Sequence, residues 1–350
     1  MKRKNNNGTI LIITSWVITL LAAIALSVTY RMRMELKLTG NEINKAKAYC
    51  AAKAGVVQAL SVLNQDASAY DSLNEKWSNY SAELYGVNLF KDIHVGEGVF
   101  NVMYAYDRDL FSGSQQIFYG MQDEERKINI NKATQDVLES LPGMSSEIAS
   151  SIRAWRGDAD VTQDILLKED MYYGGLEKPY KRKGKPFDCV EELLLVRGIT
   201  QEMLSGKDLD SDGTINVNES GLSKYLTVYG DGLVNLNTAD TTVLRAIGFT
   251  EDLVYKILRY RNGYDEILGT ADDAVFTDVN SVSNAFSYTE PLTPEEDNLM
   301  NAKKVFLKVT SRYYMAYVEG GIAASSVKSC VVAILDKESE DGNQIVKWQE

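Results

Sequence analysis

The sequence has 350 residues, a mass of 39.0 kDa and 45% apolar side chains, so it can form one large or two modest hydrophobic cores. Its 37 basic and 49 acidic side chains give a formal charge of -12, which disfavours binding to the phosphate backbone of a nucleic acid. His94 is the one histidine, so histidine-dependent catalysis is restricted to that residue, which we expect at the edge of a strand. A bridge between any two of the three cysteines stays open, and small buried thiols are the favoured interpretation; they are Cys50, Cys189 and Cys330.

The first predicted element is a membrane anchor. Residues Thr9 to Tyr30 carry no charge, and about 22 residues at about 1.5 Å each span about 33 Å, which is enough to cross a bilayer. Apolar residues continue at helical spacing as far as Leu60, so we expect an amphipathic continuation of the same helix over residues 31–64. A generic single-pass anchor is the alternative. Basic residues lie on both sides of the apolar stretch, so charge alone decides its orientation weakly.

The start of the chain resembles a type IV prepilin or pseudopilin, because a short basic leader ends in glycine and an apolar helix follows directly. The resemblance implies a leader over residues 1–8, cleavage after Gly8 by the prepilin peptidase, and Thr9 as the new N-terminus. Most members of the family carry a glutamate five residues into the mature chain, where this sequence has Ile13. The family glutamate is thought to pair with the terminal amine of a neighbouring subunit, since a carboxylate in hydrocarbon requires a partner. Ile13 cannot make that pair, which favours a place at the tip of a fibre.

Strand-forming segments lie on both sides of a long helical region. We expect residues 65–121 and 299–337 to form an antiparallel sheet on the exposed half of the first helix. Residues 122–298 would then be a domain inserted between strands, and residues 338–350 a polar, frayed tail. The predicted fold class is therefore α+β: a long N-terminal helix packed on an antiparallel pilin-like sheet, with a large inserted all-α domain.

The inserted domain contains a duplication. The segment "INKATQDVLESLPGMSSEIASSIRAWR" (130–156) recurs as "LNTADTTVLRAIGFTEDLVYKILRYR" (236–261). Each copy is predicted to form two helices joined by a hairpin, with Asn131 or Thr238 as a helix cap and Gly143 or Gly248 in the turn.

Helix-hairpin-helix pairs often bind DNA by presenting backbone amides to phosphate oxygens, so a membrane-tethered DNA receptor is the alternative function. The turns lack the second glycine of a G-x-G hairpin, and the chain is acidic. A helical domain that packs against protein is therefore favoured, with no nucleic acid as partner.

A stretch between the two repeats, "KDLDSDGTINVNE" (207–219), matches the spacing of an EF-hand loop that binds Ca²⁺ through six to eight oxygens. Gly213 at the sixth position permits the sharp turn. The predicted ligands, at positions one, three, five, seven, nine and twelve, are Asp208, Asp210, Asp212, Thr214, Asn216 and Glu219. The flanks, Gln201–Leu204 and Leu222–Tyr225, are too short for paired EF-hand helices, which favours a structural clamp over a calcium sensor.

A second cation site is predicted from acidic linkers of the repeats, although its spacing fits no template. Its ligands would be Glu169, Asp170, Asp272 and Asp273.

The segments "PYKRKGKPFDCVEELLLVRGIT" (179–200) and "LSKYLTVYGDGLVNLNTAD" (222–240) closely resemble the minor pseudopilin K family of type II secretion, also called general secretion pathway protein K. The likeness extends from Gly8 to about Leu335, and that family also lacks the glutamate absent here. It implies a non-enzymatic subunit at the tip of a pseudopilus, with calcium in the inserted domain.

The resemblance also implies partners and a location. The partners would be minor pseudopilins of the I and J types, the pseudopilus, the inner-membrane secretion platform, the prepilin peptidase and membrane lipid. The chain would cross the bacterial inner membrane once, with its bulk in the periplasm. A calcium-dependent hydrolase is disfavoured, because the sequence offers no base, no nucleophile pair and no open coordination position.

Overall fold

The architecture is that of a computed structural model. It describes residues 7–79, 88–107, 115–207, 220–264, 268, 272–288, 290–323, 325–339 and 344–350. The predicted calcium ligands at 208–219 lie outside the described residues.

The described helices and strands are numbered in chain order. The α-helices are α1 (Asn7–Asn64), α2 (Lys76–Asn79), α3 (Gln135–Glu139), α4 (Ser146–Arg156), α5 (Gln163–Gly174), α6 (Gln201–Ser205), α7 (Thr241–Ile247), α8 (Glu251–Arg261), α9 (Val282–Ala285) and α10 (Pro294–Lys303). The strands are β1 (Ile93–Val95), β2 (Gly98–Val102), β3 (Tyr104–Asp107), β4 (Gln115–Phe118), β5 (Gln122–Asp123), β6 (Ile128–Asn129), β7 (Leu226–Thr227), β8 (Val234–Asn235), β9 (Leu307–Lys308), β10 (Tyr313–Ile322), β11 (Lys328–Asp336) and β12 (Ile345–Gln349).

Helix α1 runs through the predicted anchor and its amphipathic continuation without a break over 58 residues. Its first half is exposed, whereas small side chains such as Ala48, Ala52 and Ala59 are buried in the second half. Gly55 lets the helix approach the sheet closely, since an added Cβ there would lie 2.8 Å from the ring of Phe100. The small residues therefore fix which face of α1 packs on the sheet.

The main sheet is antiparallel, and its described strands follow the order β1-β2-β10-β11-β12, with β5 also pairing with β10. Burial alternates along β10, and its buried residues Tyr314, Ala316 and Val318 belong to the core that includes α1 residues. This arrangement confirms the predicted long helix on an antiparallel sheet. The expectation of a frayed tail after residue 337 is wrong, because β12 pairs with β11 through Val332 and Gln349.

The inserted domain has a second hydrophobic core, which is built from the helices of both repeats. It is not purely helical, because β6 pairs with β7 and β8 pairs with β9, both in parallel. Parallel strands require a long crossover, and each repeat supplies one. The predicted insert boundary at residue 298 falls inside α10, and the strand β9 that closes the second repeat follows it.

The helix caps in the repeats differ from the prediction. Thr134 caps α3 and Asp240 caps α7, each accepting a hydrogen bond from a backbone N–H of the first turn. Asn131 and Thr238 precede these positions. Their side chains form hydrogen bonds with Phe187 and Asp123 instead. The predicted turns are confirmed, since Gly143 and Gly248 have φ values of 73° and 105°, a region that favours glycine.

Candidate functional sites in the anchor helix and the inserted domain

The anchor lies in the first half of α1. Within the described residues, α1 is the helix that is long and apolar enough to cross a membrane, and none of its most apolar window is buried by the protein. Ile13 is 57% exposed on this helix, so an apolar side chain stands on its surface at the position of the family glutamate. Gly8 and Thr9 belong to the first turns of α1. The proposed cleavage site therefore falls at the start of the helix.

The ends of the predicted calcium loop are close together. Gly206 and Ser220 form an antiparallel bridge on either side of residues 208–219. Before the bridge lies the short helix α6, and after it one turn of 3-10 helix, Leu222–Lys224. The short flanks that the sequence predicts are thus observed, and they meet at the Gly206–Ser220 bridge.

The four acidic residues predicted for a second cation site each have other partners. Glu169 is buried and accepts a hydrogen bond from Ser151 at 2.9 Å, and Asp170 pairs with Arg182 at 2.8 Å. Asp272 accepts a hydrogen bond from the backbone N–H of Tyr264. In the part of the chain that the structure describes, these four residues, Asp273 among them, do not appear among carboxylates whose oxygens converge within 4.8 Å. A cation site there stays a prediction.

A converging carboxylate group occurs elsewhere, at the end of α1. Asp66, Asp71 and Glu75 place carboxylate oxygens within 4.8 Å of one another. The Lys337 ammonium donates to Asp66 and to Asp71, each at 2.8 Å. Burial raises the pKa of Asp66, but hydrogen bonds from Lys337 and Ser68 outweigh it and lower that pKa. Lys337 thus supplies a positive charge to the group.

The inserted domain joins the sheet through a buried carboxylate that sequence reasoning missed. Asp123 accepts hydrogen bonds at Oδ2 from Thr238 Oγ1 at 2.6 Å, Ser311 Oγ at 2.7 Å and Asn235 Nδ2 at 3.1 Å. Burial raises the pKa of Asp123 to about 6, although the hydroxyl donors lower it. Asp123 lies in the charged run "QDEERK", which in a sequence is typical of a solvent-exposed turn, so no signal marked it as buried.

The duplication extends beyond the hairpins. Asn131 exchanges two hydrogen bonds with the backbone of Phe187, at 3.0 and 2.7 Å. Asn237, its equivalent, exchanges two with the backbone of Phe276, both at 2.9 Å. In each repeat, therefore, an asparagine fixes a distant extended segment across the helices, as a backbone pairing would.

Two arginines that the sequence places at helix C-termini are buried and equivalent. Arg156, at the end of α4, donates to the carbonyls of Ile130 and Ala133. Arg261, at the end of α8, donates to the carbonyls of Leu236 and Ala239. These side chains satisfy backbone carbonyls inside each repeat.

The hairpins are poorly suited to bind phosphate. In α4 the cap Ser145 is followed by Glu147, and in α8 the cap Thr250 is followed by Glu251 and Asp252, all in the first turn. Phosphate would be bound at these helix N-termini, where carboxylates repel it. The geometry therefore adds to the argument from net charge against the DNA receptor.

The histidine and the three cysteines are the other residues considered for reactivity from the sequence. His94 is exposed on β1, the edge strand of the main sheet, as predicted. All three cysteines are free thiols; Cys50 and Cys330 are exposed, so for these two the interpretation as buried thiols is wrong.

The chain resembles known proteins of type II secretion. Residues 99–206 match the family model "Type II secretion system (T2SS), protein K". In a search of solved structures the chain matches the GspK-GspI-GspJ complex from enterotoxigenic Escherichia coli, with a TM-score of 0.55 and 16% identity over 91% of this chain and 98% of that one. A long apolar helix on an antiparallel sheet, combined with the match of residues 99–206 to this family model, makes the chain similar to the minor pseudopilins of type II secretion systems. Within that class the similarity is to the protein K type.

A curated protein of another kind also matches part of the chain. It is the endonuclease/exonuclease/phosphatase family domain-containing protein 1 of Xenopus laevis, 27% identical over 171 residues. The match covers 46% of this chain and 26% of the Xenopus protein, so the chain spans about a quarter of that relative.

Proposed function

We propose that the chain is a non-enzymatic subunit that begins or caps the tip of a periplasmic pseudopilus. The observation that carries this proposal is the apolar, exposed Ile13 on a pilin-type anchor helix. A subunit joined beneath others would need a carboxylate there to pair with the terminal amine of its neighbour, since an unpaired charge is costly in lipid. A subunit at the tip needs no such pair.

The inserted domain supports the same position. It contains about half of the chain and its own hydrophobic core, so it would clash with neighbours that pack closely within a fibre shaft. At the tip this volume projects beyond the last subunit.

The chain would reach this position from the inner membrane. We expect the prepilin peptidase to cut after Gly8, leaving Thr9 first, and α1 to cross the membrane once with the remaining domains in the periplasm. The secretion platform would then extract the helix from the lipid. The exposed apolar side chains in the first half of α1 support this route, because they require a lipid or protein environment.

The partners would be minor pseudopilins of the I and J types. The structural neighbour from Escherichia coli is a complex of such proteins. Contact along α1 is expected, since its outward face between Ile43 and Val57 remains exposed beside the sheet.

Calcium would stabilise the inserted domain by closing residues 208–219. Four of the six predicted ligands are carboxylates, and the Gly206–Ser220 bridge holds the two ends of the loop together. A loop with fixed ends loses less conformational entropy when it binds an ion.

Labelling of assembled pseudopili tests the tip position. An epitope tag after Glu350 would be visualised on sheared pseudopili by gold-labelled antibody, with the major subunit tagged in a parallel sample. We expect gold at one end only for this chain and along the whole length for the major subunit. Regular gold down the shaft for this chain would overturn the proposal.

A further inference from the structure

The inserted domain exposes a group of large apolar side chains on α5 and on a nearby 3-10 segment. Helix α5 exposes Leu167, Met171 and Tyr172, with 52%, 78% and 41% of their surface accessible. The first two are four residues apart and therefore lie on one side of the helix. The 3-10 segment Val190–Leu195 adds two exposed leucines, Leu194 and Leu195.

Aromatic contacts join these parts into one surface. The ring of Tyr173 lies 5.3 Å from Tyr172 and 5.1 Å from Tyr180, and the Tyr180 hydroxyl donates to the Leu195 carbonyl at 2.8 Å. The backbone N–H of Arg197 donates a hydrogen bond of 3.1 Å to the Tyr173 hydroxyl. We call the exposed set the α5 patch: Leu167, Met171, Tyr172, Tyr180, Leu194 and Leu195. Tyr173, which is buried, supports the exposed tyrosines of this patch.

A basic recess borders the α5 patch. A cavity of about 520 Å³ is lined by Tyr180, which also belongs to the patch, and by Lys181 and Arg182. Asp170 lines it too and pairs with Arg182. The surrounding segment, residues 178–185, contains five cations and no acidic residue, although the whole chain has a charge of -12. Arg182 pairs with Asp170, and Lys183 pairs with Asp188 and Glu192, so Lys181 supplies the positive charge that faces the recess.

We propose that the α5 patch and its recess bind an acidic, apolar segment of another protein. Apolar side chains of that segment would cover Met171, Tyr172 and Leu195, and a carboxylate would enter the recess beside Lys181. Exposed tyrosine, methionine and arginine are typical of interface centres, and a charged border selects partners by complementarity. The inference goes beyond the tip function, because the surface would bind such a segment wherever the subunit sits.

Two other occupants fit less well. A bilayer surface binds one amphipathic helix that lies along it, whereas the α5 patch combines α5 with a 3-10 segment and the adjoining recess. A second copy of the chain in a symmetric contact would bring the basic segment 178–185 of one molecule against the same segment of the other, and like charges repel.

The experiment measures binding of a defined probe to the full chain in detergent micelles. The probe is a fluorescent amphipathic helical peptide of leucine and glutamate, and its matched control replaces every glutamate with lysine. Fluorescence anisotropy should show binding of the acidic peptide that weakens as salt rises, and weaker binding of the lysine peptide. No binding of the acidic peptide, or equal binding of both, would overturn the proposal.

Variants localise the site. Met171→Glu and Lys181→Glu should each weaken binding of the acidic peptide about tenfold or more, because they place negative charge in the patch or the recess. Val305→Glu is the control, since Val305 is 69% exposed on a different segment, and it should bind as the parent does. Thermal unfolding would establish that all three variants fold. A folded Met171→Glu protein with unchanged affinity would contradict the assignment.

Two further measurements test whether lipid or a second copy of the chain covers the α5 patch. In nanodiscs of anionic lipid the acidic peptide should bind as it does in detergent, and loss of binding there would mean that lipid covers the patch. In sedimentation velocity, Met171→Glu should leave the association state unchanged. Dissociation of a dimer by that substitution would mean that a second copy is the occupant.

Discussion

Thr238 donates a hydrogen bond of 2.6 Å to Asp123, and this bond joins the inserted domain to the sheet. Asp123 belongs to β5, which pairs with β10, whereas Thr238 lies between β8 and α7 of the second repeat. Both side chains are buried. The junction between the two parts therefore depends on a carboxylate without contact to water, which makes it sensitive to pH.

We predict that Asp123→Asn removes part of the pH dependence of stability. The folded-state pKa of about 6 lies above the ordinary 3.8, so the folded protein binds a proton more tightly than the unfolded chain does. The stability contributed by this proton is fully present below pH 3.8 and is lost as pH rises through 6. Relative to the Asn variant, the parent should lose up to about 3 kcal/mol between pH 4 and 8, because each pKa unit corresponds to about 1.4 kcal/mol.

Chemical unfolding at several pH values measures this difference. Asp164→Asn serves as the control, since Asp164 is exposed on α5, and it should follow the parent curve. A constant difference between parent and Asp123→Asn across the range would contradict the assignment.

Arg261→Met should destabilise the inserted domain. The substitution keeps an apolar stem but leaves the buried carbonyls of Leu236 and Ala239 without their guanidinium donor. Each unsatisfied buried group costs about 1–3 kcal/mol, so we expect a loss of about 2–4 kcal/mol in the free energy of unfolding. Arg245→Met is the comparison, because Arg245 makes an exposed ion pair with Glu251 that is worth at most about 1 kcal/mol. Equal losses in denaturant melts would show that burial of Arg261 is unimportant.

Two glycines of α1 should respond to alanine in opposite directions. An added Cβ at Gly55 would meet Phe100 at 2.8 Å and also clash with Val318, which should cost about 1–3 kcal/mol. At Gly40 nothing lies within 4 Å of an added Cβ, so Gly40→Ala should stabilise the helix by about 0.5–1 kcal/mol. Thermal unfolding in detergent compares the two. If Gly55→Ala were as stable as the parent, α1 would not pack on the sheet at this distance.

Calcium removal should lower the stability of the chain. An ion present at about 100 times its dissociation constant stabilises the folded state by about 2.7 kcal/mol, and a chelator should reverse that gain. Asp212→Ala should weaken calcium binding in calorimetry and lower the melting temperature. Glu202→Ala, on the exposed surface of α6 just before the loop, should leave both unchanged. Melting curves that coincide with and without chelator would mean that the loop does not stabilise the fold.

The sequence by itself determined the elements whose signals are local. A stretch without charged residues defines the anchor from Thr9 to Tyr30, and the alternation of inward and outward side chains defines β10. The repeated segments define two hairpins with turns at Gly143 and Gly248. Each of these signals is visible in the order of residues along the chain and requires no knowledge of which distant segments come into contact.

Tertiary structure decided which polar residues are buried and what they bind. Asp123 stands in a charged run and Asn131 resembles a helix cap, yet one becomes the centre of the junction and the other holds Phe187 from 56 residues away. The pairing of β12 and the parallel pairs of the repeats likewise join segments far apart in sequence. Local propensity carries no information about such pairs, because their partners meet only when the two cores assemble.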